Sequence, residues 1–563
     1  MFRLIRFLKG HIPATIAAPV CKLIEAIAEL AVPMIIASVI DIGIANSDKS
    51  YVIKYCAVIG VLAVGGFLIS ITGQYLASKV ALGFGTRLRN ATFKHINALP
   101  VSACDKIGGA SLVTRVTGDV LNCQNALNMF LRLVLRMPFV VIGAFVMSMI
   151  IDPVLSLMFL TMTIVLAATI TCVLRLTMPR VKRAQKNLDE ISRNTAQSLS
   201  GARVIRAFSK QKHAKTEFDK VATATADTNI GAARISALLT PLTFAVVNLA
   251  IIAVLWFGGV KVNIGTLTQG ETIALINYLQ QAFFVIVNIG NVFSVFTRSS
   301  ACAARVNEIL DMPLPENGTL AEISDDDCVI KFDNVSFAYD GDYDVRDISF
   351  SLDRDKTLGI IGGTGSGKST LINLMERFYT PAVGTVEFCG KPAAEYDVAF
   401  MRGKIGYVPQ RAAVLRGTLE SNLTIADENA SRERQQSALA LAQASELWDA
   451  LGPDGQIADG GKNLSGGQRQ RLTIARAVVK QPEILILDDS ASALDYATDA
   501  RLRKAIRGMG EKTTVFIVSQ RTSSIQYADQ IIVLEDGHIA GLGTHEELLR
   551  SCEVYKEIHY SQS

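Results

Sequence analysis

Between residues 15 and 297 the chain carries roughly six apolar stretches, each long enough to cross a hydrocarbon core of ~30 Å. They centre on residues 15–42, 52–76, 129–151, 154–176, 235–258 and 271–297. So much apolar sequence in the first half of a 563-residue chain is incompatible with a purely soluble fold and accounts for an overall hydrophobic content of 50%. Arg3, Arg6, Lys9, the basic stretch from Lys79 to Lys94 and the stretch from Arg175 to Arg183 then fall on one side. The positive-inside tendency makes that side the cytoplasm, with both chain ends there. The opening MFRLIRFLKGH is basic and amphipathic, and Lys22, Glu25 and Glu29 interrupt the apolar run after it, so it reads as a surface-lying elbow helix and not a signal peptide.

The two long internal connections stay polar and keep helical periodicity, which predicts stalks projecting beyond the membrane. Pro313, Pro315 and the acidic SDDD at 324–327 mark a change of domain. The expected organisation is a membrane domain over residues 1–310, a linker over 311–328 and, from 329 to 563, alternating strands and helices that read as a soluble α/β domain. Nine scattered cysteines without a CxxC pair read as reduced and structural. A net charge of +4 gives no reason to expect a nucleic-acid partner, and a soluble protein acting on nucleic acid would need no membrane spans.

Within the second domain, LGII at 358–361 precedes a glycine-rich loop and the helix LINLMERF. Gly362, Gly363, Thr364, Gly365, Ser366, Gly367, Lys368, Ser369 and Thr370 form a phosphate-binding loop. Its backbone N–H groups and helix N-terminus favour phosphate, Lys368 reaches the β- and γ-phosphates, and Ser369 ligates Mg²⁺. The strand ILILDD carries Asp488 to its C-terminal end, where it is placed to hold Mg²⁺. Between these two lies LSGGQ at 464–468.

In that order, the motifs make the chain resemble an exporter-type half-transporter of the ATP-binding cassette superfamily: six membrane helices with long cytoplasmic extensions, then an α/β P-loop cassette. The resemblance implies that Tyr339 stacks on adenine, that Gln410 senses Mg²⁺ and γ-phosphate, and that SALD at 492–495 faces an opposite cassette. It implies that Ser465, Gly466, Gly467 and Gln468 close over ATP held by a second half-transporter chain. ATP and Mg²⁺ are the expected cofactors, the cytoplasmic membrane the expected location, and 108–120 and 198–208 the expected coupling regions.

Two positions depart from the family's pattern. Asp489 stands where strongly hydrolysing members have a glutamate, and Gln520 where they have a switch histidine. Shortening the carboxylate by a methylene withdraws it by ~1 Å, a misplacement that can cost ~10²-fold in rate. Gln donates a hydrogen bond but carries no imidazolium charge. Both changes in one site favour a heterodimer in which this chain contributes a slow site and a competent LSGGQ, with a slow homodimeric exporter or a nucleotide-gated regulatory subunit as alternatives.

For cargo, Lys22, Glu25 and Glu29 share a helical face that either lines a translocation path or pairs internally. Asn277, Gln281, Phe284, Asn288 and Asn291 form a second face, suited to an amphipathic substrate or to hydrogen bonding between spans.

Overall fold

A computed structural model of the chain describes residues 2–324, 326–490, 494–509 and 513–562. The chain divides into two compact units, Met1–Asn97 with Gly108–Met312, and Ala98–Ile107 with Pro313–Ser563.

Among the described residues, the first unit contains six helices long and apolar enough to cross a membrane: Ile12–Ile44, Lys49–Ala98, Gly109–Ile151, Pro153–Ser200, Gln211–Ile264 and Gln269–Ile289. The last continues as helix to Leu310. At 1.5 Å per residue the 50 residues of Lys49–Ala98 extend about 75 Å, more than twice a hydrocarbon core. The expected stalks are therefore continuous with their spans.

Short polar turns separate successive spans where capping chemistry stops the helices. Asp152 Oδ1 accepts the N–H groups of Val154 and Leu155, both at 2.9 Å, and Pro153 opens the following helix. Thr268 and Glu271 form a capping box for the sixth span. Asp41 joins that start to the end of the first span, accepting from Thr268 Oγ1 at 2.6 Å and Gly270 N at 2.8 Å. A Cβ on Gly270 would lie 2.4 Å from the carbonyl oxygen of Ala37, so this approach requires glycine. Deeper in the bundle Tyr278, fully buried, donates to the carbonyl of Leu30 at 2.7 Å.

Two expectations change. The N-terminal segment is a 3₁₀ helix, Phe2–Leu8, and it does not simply lie on a surface: Leu4 is buried with Phe84, Leu88 and Val306. The segment that groups with the cassette is Ala98–Ile107, ahead of the coupling region expected at 108–120. Pro100 and Gly108 isolate the short helix Val101–Ile107, and Gly108, at φ 82°, turns the chain into the next helix. Tyr379 Oη donates to Asp105 at 2.6 Å within that unit. The second expected region contains the short helix Ala202–Ala207, which buries none of its residues.

The cassette is built on a six-stranded sheet and a four-stranded sheet. Strands β1 (Cys328–Phe337), β2 (Val345–Asp353), β4 (Val383–Phe388) and β5 (Lys391–Pro392) make an antiparallel sheet in the order β2-β1-β4-β5. The larger sheet uses β3 (Thr357–Gly362), β6 (Ile405–Val408), β9 (Ile484–Asp488), β10 (Thr514–Val518), β11 (Gln530–Glu535) and β12 (His538–Gly543) in the order β12-β11-β3-β10-β9-β6. A small pair, β7 (Gly417–Thr418) and β8 (Gln456–Ile457), stands apart. All five residues of β9 are buried, as befits a central parallel strand covered on both faces. Among the described residues no disulfide joins any of the nine cysteines.

Candidate functional site

Parallel pairing decides which side chains meet. Val518 of β10 lies opposite Ile360 of β3 and Asp488 of β9, and Val408 of β6 lies opposite Leu487. The C-terminal ends of β3, β9, β10 and β6 therefore share one sheet edge, where open α/β sheets hold their ligands. That edge carries the phosphate loop, Asp488 with Asp489, Ser519 with Gln520, and Gln410.

The loop leaves β3 at Gly362 and enters the helix Lys368–Met375. Gly365 and Gly367 take φ of 83° and 97°, and a Cβ on Gly367 would approach Val345 Cγ1 to 2.5 Å. Lys368 Nζ turns back over the loop, donating to the carbonyls of Gly362 at 2.8 Å and Gly363 at 2.5 Å. Burial lowers the Lys368 pKa, with Asp489 and Asp488 acting in the opposite direction. Gly363, Thr364 and Gly365 are exposed, while Ser366 and Thr370 are buried.

Ser369 Oγ lies 3.4 Å from Asp488 Oδ2. Asp488 is only 4% exposed, and burial, followed by the charge of Asp489, raises its pKa. A hydroxyl and a buried carboxylate in contact, with a second acid beside them, form an oxygen-donor group that fits a hard divalent cation. Asp489 is half-buried, adopts φ of 44°, and donates its N–H to the Val518 carbonyl at 3.0 Å. Aspartate tolerates that left-handed conformation better than most residues.

Gln410 and Gln520 are both exposed at the same edge. Tyr339 is 45% exposed and is fixed in ways the motif did not reveal. Its N–H bonds to Asp344 Oδ2 and its hydroxyl accepts from Asn373 Nδ2, both at 2.8 Å, while Phe337 and Tyr379 meet its ring edge-on.

LSGGQ forms the start of the helix Gly466–Val479. Ser465 Oγ accepts from Gln468 N at 3.2 Å, and Gln468 Oε1 accepts from Ser465 N at 2.9 Å, completing a capping box. Gln468 thus has a local role in shaping the turn that presents Gly466 and Gly467. Of SALD, Ser492 and Ala493 lie outside the described residues. A cavity of about 280 Å³ is lined by Asp489, Asp499, Arg503, Val518 and Ser524.

In the membrane unit Lys22 Nζ donates to Glu25 at 2.6 Å and to Ser70 Oγ at 2.9 Å, and Arg136 pairs with Glu29. Gln281 Nε2 reaches the Glu29 carbonyl at 3.4 Å. Asn277 and Asn288 bond to carbonyls of their own helix, Ile273 at 3.0 Å and Phe284 at 2.7 Å. Phe284 and Asn288 remain exposed, and the side chain of Asn291 lies outside the described residues.

Comparison with known proteins agrees with this division. Residues 15–286 match the model of the ABC transporter transmembrane region, and residues 345–492 match the ABC transporter model. The chain is 34% identical over 559 residues to an ABC transporter ATP-binding protein of Mycobacterium tuberculosis, covering 96% of this chain and 94% of the relative. It is 33% identical to the ABC transporter ATP-binding protein YfiB of Bacillus subtilis, covering 100% and 98%. It is also 29% identical to an ATP-dependent lipid A-core flippase of Chromobacterium violaceum, covering 100% and 97%.

Proposed function

Because the chain belongs to the ABC transporters, as a half-transporter whose membrane domain precedes an ATP-hydrolysing cassette, we propose that it is one subunit of a heterodimeric exporter of amphipathic drugs or lipids. The observation that carries this reading is the contrast between a complete phosphate loop and LSGGQ and the pair Asp489 and Gln520. Its own site binds ATP and turns it over slowly. Its LSGGQ completes a faster site on a different half-transporter, which carries the glutamate and the histidine.

In its own site the loop amides and Lys368 hold the phosphates, Tyr339 stacks on adenine, and Gln410 and Gln520 face the γ-phosphate. Ser369, Asp488 and Gln410 would hold Mg²⁺, which would supply charge neutralisation between the phosphates. Asp489 orients water from a shorter reach. Ser465 sets the helix start from which Gly466 and Gly467 present N–H donors to the partner's nucleotide.

Both chain ends lie in the cytoplasm, and cargo crosses the cell membrane outward. Asn277, Gln281, Phe284 and Asn288 contribute to the cargo wall, supported by the exposure of Phe284 and Asn288. Glu25 and Glu29, held by Lys22 and Arg136, set its charge. The name of two relatives, ATP-dependent lipid A-core flippase, supports a lipid or lipid-like cargo.

The test is ATP hydrolysis in lipid by the chain alone and mixed with a candidate partner half-transporter. An active pair, a nearly silent lone chain and a dependence on the partner's catalytic glutamate are expected. A lone chain that dimerises and hydrolyses ATP as fast as the pair would establish a homodimer instead.

A further inference from the structure

A glutamine side chain has more rotatable bonds than a histidine, so its usefulness beside a phosphate depends on how firmly its backbone is held. The backbone around Gln520 is held from outside its own loop. Gln562, 42 residues further along, donates from Nε2 to the Gln520 carbonyl at 2.6 Å. Through Oε1 it also accepts the Thr522 N–H at 3.0 Å. One side-chain amide thus brackets Arg521 as a neighbouring strand residue would. Thr522 Oγ1 lies 3.1 Å from His559 Nδ1, a second tie to the same segment.

The support is itself anchored. The helix Glu553–Tyr560 buries Tyr555 completely, and the Tyr555 hydroxyl lies 2.8 Å from His545 Nδ1. Tyr555 shares an apolar cluster with Ile361, Ile525, Ala528 and Leu548. Ile361 immediately precedes the phosphate loop, and Ile525 ends the short helix that begins at Thr522. The same small core therefore fixes the loop that holds phosphate and the segment carrying Gln520.

We propose that Gln562 is a positioning residue for ATP hydrolysis at this chain's own site, clamping the 520–522 backbone so that the Gln520 side chain is presented to the γ-phosphate. The proposal rests on the reading of Gln520 as the switch residue. It requires a group that donates and accepts at once. An ionised glutamate accepts only, so Gln562→Glu retains a partner for the Thr522 N–H but sets a carboxylate against the Gln520 carbonyl. Gln562→Ala removes both contacts.

The full-length chain assembled with a candidate partner half-transporter in lipid nanodiscs, with ATP and Mg²⁺ and with the partner's catalytic glutamate replaced by glutamine so that turnover reports this chain's own site, provides two readouts. Amide exchange over residues 519–526 should accelerate at least tenfold at Thr522 in Gln562→Ala and stay near wild type there in Gln562→Glu. In both variants kcat should fall about threefold to tenfold, with KM within about twofold and melting temperature unchanged. Unchanged exchange in Gln562→Ala overturns the clamp, as does a kcat loss matched by an equal loss of folded protein in both variants. If Gln520 is not the switch residue, the exchange response persists while kcat stays at the wild-type value, so the clamp stands and its catalytic role is overturned.

Discussion

The start of the LSGGQ helix and the Asp489–Gln520 edge, both proposed above to face phosphate, are held in opposite ways. Ser465 and Gln468 close a capping box within four residues, so that turn is specified by its own sequence. Asp489 sits at φ of 44°, and Gln520 depends on a residue 42 positions away. A locally specified element survives changes elsewhere in the chain. A remotely supported one can be retuned, which suits the slow site proposed above.

The largest effect that separates the two concerns Gly466. A Cβ there meets nothing within 4 Å, so Gly466→Asp should fold, but under the proposed arrangement it sets a carboxylate against the γ-phosphate of the partner's nucleotide. Turnover by the proposed pair should fall about 10³-fold, whereas Lys368→Ala, which weakens nucleotide binding in the site proposed to be slow, should lower it only about tenfold. Equal losses in a steady-state ATPase assay would break the asymmetry.

Restoring the departures should move activity in the other direction. Asp489→Glu with Gln520→His should raise single-turnover hydrolysis at this chain's own site by about 10²-fold. The gain should fall short of a full family rate because glutamate fits the left-handed backbone at 489 less well.

A smaller effect concerns Glu376 at the end of the phosphate-loop helix. Burial raises its pKa to about 7, against the opposing charges of Arg402 and Lys480. The folded chain keeps that proton up to about pH 7, while the unfolded chain releases it near ~4.3, so stability falls as pH rises between the two. Glu376→Gln should remove that slope and stabilise the cassette by about 2 kcal/mol at pH 6, read from thermal denaturation as a function of pH. The smallest effect belongs to the cap: Ser465→Ala should cost about 1 kcal/mol of helix stability, and Ser465→Thr should recover most of it.

The same local-versus-remote distinction explains what was legible in the sequence. The six spans, the phosphate loop and the strand bearing Asp488 are written in contiguous residues with a regular period or spacing. The helix Val101–Ile107 was missed because its limits rest on two single breakers, Pro100 and Gly108, in a segment that otherwise keeps helical periodicity. Pairing of Arg136 with Glu29 and of Asn373 with Tyr339 joins residues far apart in the chain, and no one-dimensional pattern announces either. Gln562 carried no signal at all, being one polar residue in a polar end.

The length of the helix Lys49–Ala98 has a mechanical consequence. Fifty residues without a proline make a stiff beam about 75 Å long. A tilt of about 5° at one end displaces the other by roughly 6 Å, about one helical turn. An ångström-scale adjustment near the fulcrum is therefore magnified along the beam by leverage, and a hinge inserted midway, such as a Gly-Pro pair, would dissipate the stroke.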